Sequence, residues 1–451
     1  MKRLLDLLWL VLLAAFVFAI PPTFHGDEAM QIYMSKDYAI AFINHNPAAL
    51  ITSPPYAIDD DSYLRLINGT INRYAIGLSW QIAGLNIKDL PPRPGWDWGL
   101  DYPTNVATGH MPSPALLTAA RFSSTLFLAL SVIVMFGLGW LFGRRESRRP
   151  LAYFVSGLYT INPVTLLDGR RALQEGSLLF FGLLTILIAV WIAKRHDQSH
   201  RGGFETRPYK TGVSIFAWLA LILSGGLALA SKDTGVVYIA AALGWIFFAE
   251  FTHLSGRALL LTTLKLLVSG LLIIALFIAL SPALWNDPPA RLIDMLQQRS
   301  QLLDIQVQSV PGAPMTFAQR VQEIALQPFM TPPQHFEVSF WANFKPVTDD
   351  VARYMSSPFS GLQFGLILGG LLTMLAVIGV IFTLRGDWRI GILAWVLVIV
   401  ASSLANPLPW QRYYLPLYPL AALLVGIGIH GLIGLFVRKP EQPAALSHAA
   451  P

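Results

Sequence analysis

The chain contains no cysteine. Disulfides, thiolate-held metals, iron–sulfur clusters and cysteine nucleophiles are thereby excluded together, while the redox compartment stays open. Charge is scarce as well. Asp, Glu, Lys and Arg make up 13% of the 451 residues, against roughly 25% in ordinary soluble proteins. There is no Walker phosphate loop, no strand-borne GxGxxG and no Ser-x-x-Lys pair. What fills the chain instead is apolar: hydrophobic residues reach 54% and mean hydropathy is +0.53. That composition excludes a soluble globular enzyme, a disordered chain and a fibrous repeat, and assigns the protein to a bilayer.

A spanning helix needs about 20 mostly apolar residues. Ten stretches between charges approach that length: 7–24, 122–143, 150–167, 176–193, 211–231, 234–249, 266–286, 354–384, 390–411 and 413–437. The sixth is short, and the third should bend at Asn162-Pro163. The expected fold is therefore an all-α polytopic membrane protein of about ten transmembrane helices. With Lys2 and Arg3 inside, seventeen Lys and Arg fall in cytoplasmic segments, from that pair through Arg144, Arg145, Arg207 and Lys210 to Arg438 and Lys439. Only Arg170, Arg171, Lys232 and Arg412 fall in short outer loops. This asymmetry sets the orientation, with both termini cytoplasmic in an integral plasma membrane protein. The net charge of +6 is thus a topogenic signal, and nucleic acid is not an expected partner. Val17-Phe18-Ala19 resembles a small-residue cleavage site; cleavage there would remove one helix and leave the remaining topology unchanged.

Two long extracytoplasmic loops remain, 25–120 and 287–353. Leu292, Met295, Leu296, Arg299, Leu302 and Leu303 recur at helical spacing, as do Phe317, Val321, Ile324 and Phe329. Both runs predict amphipathic helices on the outer membrane face, and residues 28–43 invite the same reading. The whole of 1–451 reads as a single transmembrane domain.

Candidate chemistry gathers at the outer ends of helices. Asp27-Glu28 follows the first apolar run in His25-Gly26-Asp27-Glu28. Adjacent carboxylates at a membrane surface repel each other and resist desolvation, so each needs a partner or a task. Asp27 suits a general base with a pKa raised from about 3.9; an acidic cap on the following helix explains the pair equally. The outer cations Arg170, Arg171, Lys232 and Arg412 suit a bound anion, phosphate above all. Salt bridges to Asp168, Glu175 or Asp233 are the plainer alternative for any one of them. Asp59-Asp60-Asp61 lacks the spaced ligands of a Ca²⁺ loop. His110, His335 and Glu337 lack metal-site spacing, so no ligand set requires a divalent metal, although the chemistry would accommodate one. Trp96-Asp97-Trp98 and the aromatics from Trp410 to Tyr414 fit an interfacial belt or sugar stacking.

Taken in order, these segments resemble the GT-C polytopic glycosyltransferases, in particular the branch of protein O-mannosyltransferases and lipid A aminoarabinose transferases. Asp27-Glu28 is similar to the acidic pair after the first helix. His110-Met111-Pro112-Ser113-Pro114 is similar to the proline-rich start of the second, with Arg121 and the basic exit Gly143-Arg144-Arg145 beyond it. Arg170-Arg171-Ala172-Leu173 with Glu175, Ser231-Lys232-Asp233-Thr234-Gly235, Pro282-Ala283-Leu284-Trp285 and Arg412-Tyr413-Tyr414-Leu415-Pro416 complete the series. Ser113 stands between prolines where the family doubles the proline, and no additional soluble domain is evident; both leave the acceptor open.

The resemblance implies transfer of a sugar from a polyprenyl-phosphate donor to a lipid, glycan or protein acceptor outside the cytoplasm. It assigns Asp27 as catalytic carboxylate with Glu28 beside it, and Arg171, Lys232 and Arg412, with Arg170, to the donor phosphate. His110, Tyr413 and Trp285 fall within these motifs as contacts to acceptor or sugar. Two other readings stand beside it: a transporter or flippase of lipid-linked saccharides, and a non-catalytic assembly subunit. The first needs ionisable groups near mid-membrane, and the second leaves Asp27-Glu28 without a task.

Overall fold

The computed structural model describes residues 1–58, 60–143, 147–201, 214–251, 256–385 and 389–436. Asp59, Arg144, Arg145, Arg207, Lys210, Arg438 and Lys439 lie outside the described residues. Among those described, the chain is all-helical with no strand. Helix α1 (Lys2–Phe18) leads into the first long loop, which holds α2 (Gly26–Met34), α3 (Lys36–Tyr38), α4 (Asp61–Ile67), α5 (Thr70–Ile82) and α6 (Tyr102–Ala107). A run of mostly apolar helices follows: α7 (Pro114–Phe142), α8 (Arg148–Thr160), α9 (Pro163–Arg170), α10 (Glu175–Arg201), α11 (Ile215–Ser231), α12 (Gly235–Phe251) and α13 (Arg257–Leu280). The second long loop carries α14 (Pro288–Ser309), α15 (Phe317–Leu326) and α16 (Lys345–Met355), and α17 (Gly365–Leu384), α18 (Arg389–Ala405) and α19 (Leu417–Phe436) close the chain.

Each of the ten apolar stretches contains a helix, yet five helical segments are long and apolar enough to cross a membrane by length and composition: Pro114–Phe142, Glu175–Lys194, Leu259–Leu280, Pro358–Leu384 and Leu417–Phe436. Ile215–Ser231, Gly235–Ala249 and Ile390–Ala405 are shorter apolar helices. The third stretch breaks where Asn162-Pro163 predicts. α8 ends at Thr160, and the Asn162 side chain accepts from Val164 N and Thr165 N to start α9. On α13, Leu260, Leu264, Leu267 and Leu271 form an exposed stripe, each between 54% and 69% accessible. A stripe of that kind is at home against lipid, and the protein is an integral membrane protein.

The core lies among α7, α8, α10, α12, α18 and α19, with Leu128, Leu183, Ile186, Trp245, Trp395 and Leu423 fully enclosed. α17 and α19 meet backbone to backbone. A Cβ at Gly428 would collide with the Leu375 carbonyl, and one at Gly379 with the Leu424 carbonyl, so the close approach depends on these two small residues.

The loops depart from the amphipathic expectation. α2 is no surface helix: Glu28, Ala29, Gln31, Ile32, Tyr33 and Met34 are all buried. Its apolar residues pack on α4 and α5, and its polar ones find partners inside the protein, so this part of 28–43 belongs to a two-sided core, while Phe42 and Ile43 at its end are exposed. On α14, Leu292, Met295 and Leu302 turn toward α4 and the 277–284 segment, while Ile293 and Leu296 remain exposed.

Gly428→Val should force α17 and α19 apart. The expected cost is about 1–3 kcal/mol, as for overpacking elsewhere, read as a lower unfolding midpoint of the detergent-solubilised protein. An unchanged midpoint would mean that the contact is not tight.

Candidate functional site

His25 ends an extended segment and caps α2. Its Nδ1 accepts from Asp27 N at 3.2 Å, and Glu28 Oε2 accepts from His25 N at 3.0 Å. Because Nδ1 is an acceptor, the ring proton sits on Nε2, which donates to Glu337 Oε2 at 2.5 Å. Arg412, from the turn before α19, donates through Nη1 to Asp27 Oδ2 and places Nε 3.2 Å from Glu337 Oε1. Three distant parts of the chain thus converge on one guanidinium.

This cluster lines a cavity of about 370 Å³. Its charged end also receives Lys232, whose Nζ donates to Glu175 Oε1 at 2.7 Å, and Arg299, which donates to Asp233 Oδ1 at 2.9 Å. Trp410 and Tyr413 stack 5.8 Å apart, 11° from parallel, with Arg412 beside both rings. Elsewhere the wall is largely apolar, with Met30, Leu64, Ile67, Leu302 and Ile305 beside the polar Gln31, Asn68, Gln174 and Gln306. A cationic end joined to an apolar slot is the shape of a site for an anion with a hydrocarbon tail.

The electrostatics correct one expectation. Burial does push the Asp27 carboxyl upward, but the Arg412 guanidinium outweighs it, and the group is held below the ordinary 3.8. Paired in this way, Asp27 is ionised yet weakly basic. Burial likewise opposes ionisation of Glu337, but Arg412 and the His25 bond hold its pKa far below the usual range. Asp168 behaves oppositely: burial, aided by Glu175 and Glu337, pushes it up to about 7 despite Arg171.

Of the sequence candidates, Asp27, Lys232, Arg412 and Tyr413 meet in this cavity; five others do not. Glu28 is fully buried, bound by Arg121 at 2.8 and 2.7 Å and by Ala172 N at 2.8 Å, so it locks α2 to α7 and cannot contact a ligand. Arg170 spends its donors on the Phe16, Val17 and Phe359 carbonyls and the Tyr354 hydroxyl. It caps the last turn of α1, has four of its five N–H donors spent on these partners, and does not line the cavity. Arg171 sits one layer behind, bonded to Asp168, to Thr23 and to the His335 carbonyl. His110 contacts Gly95 O through Nδ1 at 3.2 Å, and Trp285 donates to Ile278 O at the end of α13; neither lines the cavity.

The sequence reading missed Arg299 and the pairing of Glu337 with His25. Arg299 was counted as one position of an amphipathic helix, and its polar character on an otherwise apolar face was the available signal. Among the described residues, no group of three or more His, Asp or Glu is placed to hold a metal ion.

No family model and no curated protein matches the chain. Solved structures do match in fold. An archaeal oligosaccharyltransferase, AglB from Archaeoglobus fulgidus, in complex with an inhibitory peptide and a dolichol-phosphate, aligns at a TM-score of 0.50 and 12% identity, covering 98% of this chain and 53% of that one. The apo form of the Archaeoglobus fulgidus oligosaccharyltransferase gives 0.51 at 12% identity, over 96% and 51%. The form tethered to an acceptor peptide containing the NVT sequon gives 0.53 at 12%, over 96% and 50%. The chain spans about half the length of these proteins, and what it shares with them is the fold.

Asp168 yields a pH prediction. Its folded pKa, raised from 3.8 to about 7, means that the folded state holds the extra proton in that window, so stability falls as pH rises through it. Asp168→Asn should flatten this fall in thermal unfolding midpoints; an unaltered slope would place the titration elsewhere.

Proposed function

We propose that the protein is a glycosyltransferase that moves a sugar from a polyprenyl-phosphate donor to an acceptor at the extracytoplasmic face. The observation that carries this reading is the meeting of Asp27 with Lys232, Arg299 and Arg412 at one end of a cavity whose other wall is largely apolar. The likeness in fold to oligosaccharyltransferases, one of them described with a dolichol-phosphate, supports a lipid-phosphate in that slot.

The donor phosphate enters the cationic end and competes with Asp27 for the Arg412 guanidinium. Relieved of that partner, Asp27 regains basicity and accepts the proton of an acceptor hydroxyl or amine. The acceptor atom bonds to the anomeric carbon as the bond from that carbon to the phosphate oxygen breaks. The departing electron pair stays on the lipid phosphate, where Lys232, Arg299 and Arg412 neutralise it. This is a single displacement with inversion. Tyr413 and Trp410 offer flat faces beside the phosphate end for the transferred ring. The reading extends to a hexosyl or pentosyl donor and to the protein O-mannosyltransferase-like branch, with the residues quoted above as its support. Transport of lipid-linked saccharides would need ionisable groups along a path through the membrane. The charges of this cavity instead come from helix ends, Glu175 opening α10 and Lys232 following α11.

Purified protein incubated with radiolabelled polyprenyl-phosphate sugars and an acceptor extract should release labelled product, and Asp27→Asn should abolish release while leaving expression and insertion intact. Near-normal turnover in that variant would sink the assignment. Lys232→Ala should raise KM for the donor about tenfold or more, as for loss of a charge-assisted contact, with the acceptor KM little changed. A change confined to the acceptor would contradict the phosphate role.

A further inference from the structure

A second cavity, of about 230 Å³, lies against the back of the same site. Thr23, Phe24, Tyr102, His335, Phe336 and Asp350 are among its walls. The partition between the two spaces is thin. Phe24 lines the second cavity while its neighbour His25 lines the first, and Phe336 and Glu337 divide in the same way. The His25–Glu337 hydrogen bond joins the two segments across that partition.

The two cavities differ in chemistry. Three cations, Lys232, Arg299 and Arg412, and three carboxylates, Asp27, Glu175 and Glu337, line the first. In the second, Arg353 is 3.6 Å from Asp350 and largely exposed, so those charges offset each other. Burial and the nearby Arg171 lower His335 to about 3, which keeps its ring neutral. Arg171 Nη2 donates to Thr23 Oγ1 at 3.1 Å, so the Thr23 hydroxyl hydrogen is free to donate to His335 Nδ1, 3.0 Å away. The ring proton then resides on Nε2, a buried donor with no partner. Buried donors of that kind normally have one.

The aromatic walls are fixed from behind. Tyr102 stacks on Phe344 at 6.0 Å and meets Trp341 edge-on at 5.7 Å. Phe24 packs on Trp96 at 5.2 Å, and Asp350 accepts from Phe24 N at 3.2 Å. Flat apolar faces beside a carboxylate acceptor suit an uncharged ring that carries hydroxyls. The compact volume takes one ring more readily than an extended peptide, which needs about 3.3 Å of length per residue.

We propose that this second cavity binds the sugar ring of a glycan acceptor, held between Phe24, Tyr102 and Phe336 and hydrogen-bonded by Asp350. The assignment to the acceptor rests on the glycosyltransferase reading; the binding of a neutral sugar ring does not. The bound ring would lie behind the His25–Glu337 pair, on the far side of it from the charged cavity.

The test is saturation-transfer NMR on the full chain in detergent, with methyl hexopyranosides, a short neutral peptide and a short-chain polyprenyl phosphate as separate probes. Ring protons of the glycosides should receive saturation. Tyr102→Ala, and Val351→Trp, which fills the cavity from α16, should each weaken glycoside binding about tenfold, the effect of losing one well-packed contact. Lys232→Ala should leave glycoside binding intact and weaken polyprenyl-phosphate binding. Retained polyprenyl-phosphate binding in the two cavity variants shows that they are folded. No glycoside signal, a signal indifferent to both cavity variants, or a peptide signal that they abolish in its place would overturn the proposal. Glycoside binding that behaves as expected, together with no transfer from any lipid-linked donor, would confirm the site and sink the enzymatic reading instead.

Discussion

Arg412 bridges two carboxylates that belong to different ends of the fold, Asp27 at the start of α2 and Glu337 in the second long loop. Without a cation between them, these buried acids would repel each other, and burial would drive a proton onto at least one. With it, both stay ionised, the second loop is held against the first, and the cavity acquires its wall. The same bond fixes the chemistry of the resting site. Asp27 cannot act as an effective base while it shares a proton-rich guanidinium, so the pair that builds the cavity also restrains it. A phosphate that takes over Arg412 would remove that restraint in the same step that positions the sugar. On the proposed function, binding of the donor and activation of the base would be one event.

Neighbouring residues repeatedly do different work here. Asp27 faces the cavity, while Glu28, about 100° further round the same helix, turns inward to Arg121. Arg170 closes α1 and Arg171 braces the segments at Thr23 and His335. Along 23–25 and 335–337, Thr23, Phe24, His335 and Phe336 line the second cavity, while His25 and Glu337 line the first. A pair of like residues in the sequence therefore does not imply a shared role; the backbone conformation decides how the roles divide.

How much of this was legible in the sequence depends on whether a residue's partner was near in the chain. The break at Asn162-Pro163 and the apolar helices follow from local rules, and the structure has them. Asp27, Lys232 and Arg412 could be singled out because charge is rare in such a chain and theirs lies at helix ends. Glu28 and Arg170 could be singled out by the same signal, and both proved structural, because only the fold reveals that Arg121 and the α1 carbonyls await them. Arg299 was hidden inside an amphipathic pattern, and the pairing of His25 with Glu337, 312 residues apart, has no local signature. The direction of the Asp27 pKa was misjudged for the same reason. Lipid proximity argued for an upward shift, and Arg412, from the far end of the sequence, reversed it.

The central claim is that a donor phosphate and Asp27 share Arg412. It is tested most directly by a structure of the protein with a polyprenyl-phosphate sugar bound. The account predicts the phosphate within hydrogen-bonding distance of Lys232 and Arg412, the lipid tail along Leu64, Ile67, Leu302 and Ile305, and Asp27 released from the guanidinium. A phosphate bound elsewhere, with the Arg412–Asp27 pair intact, would contradict it.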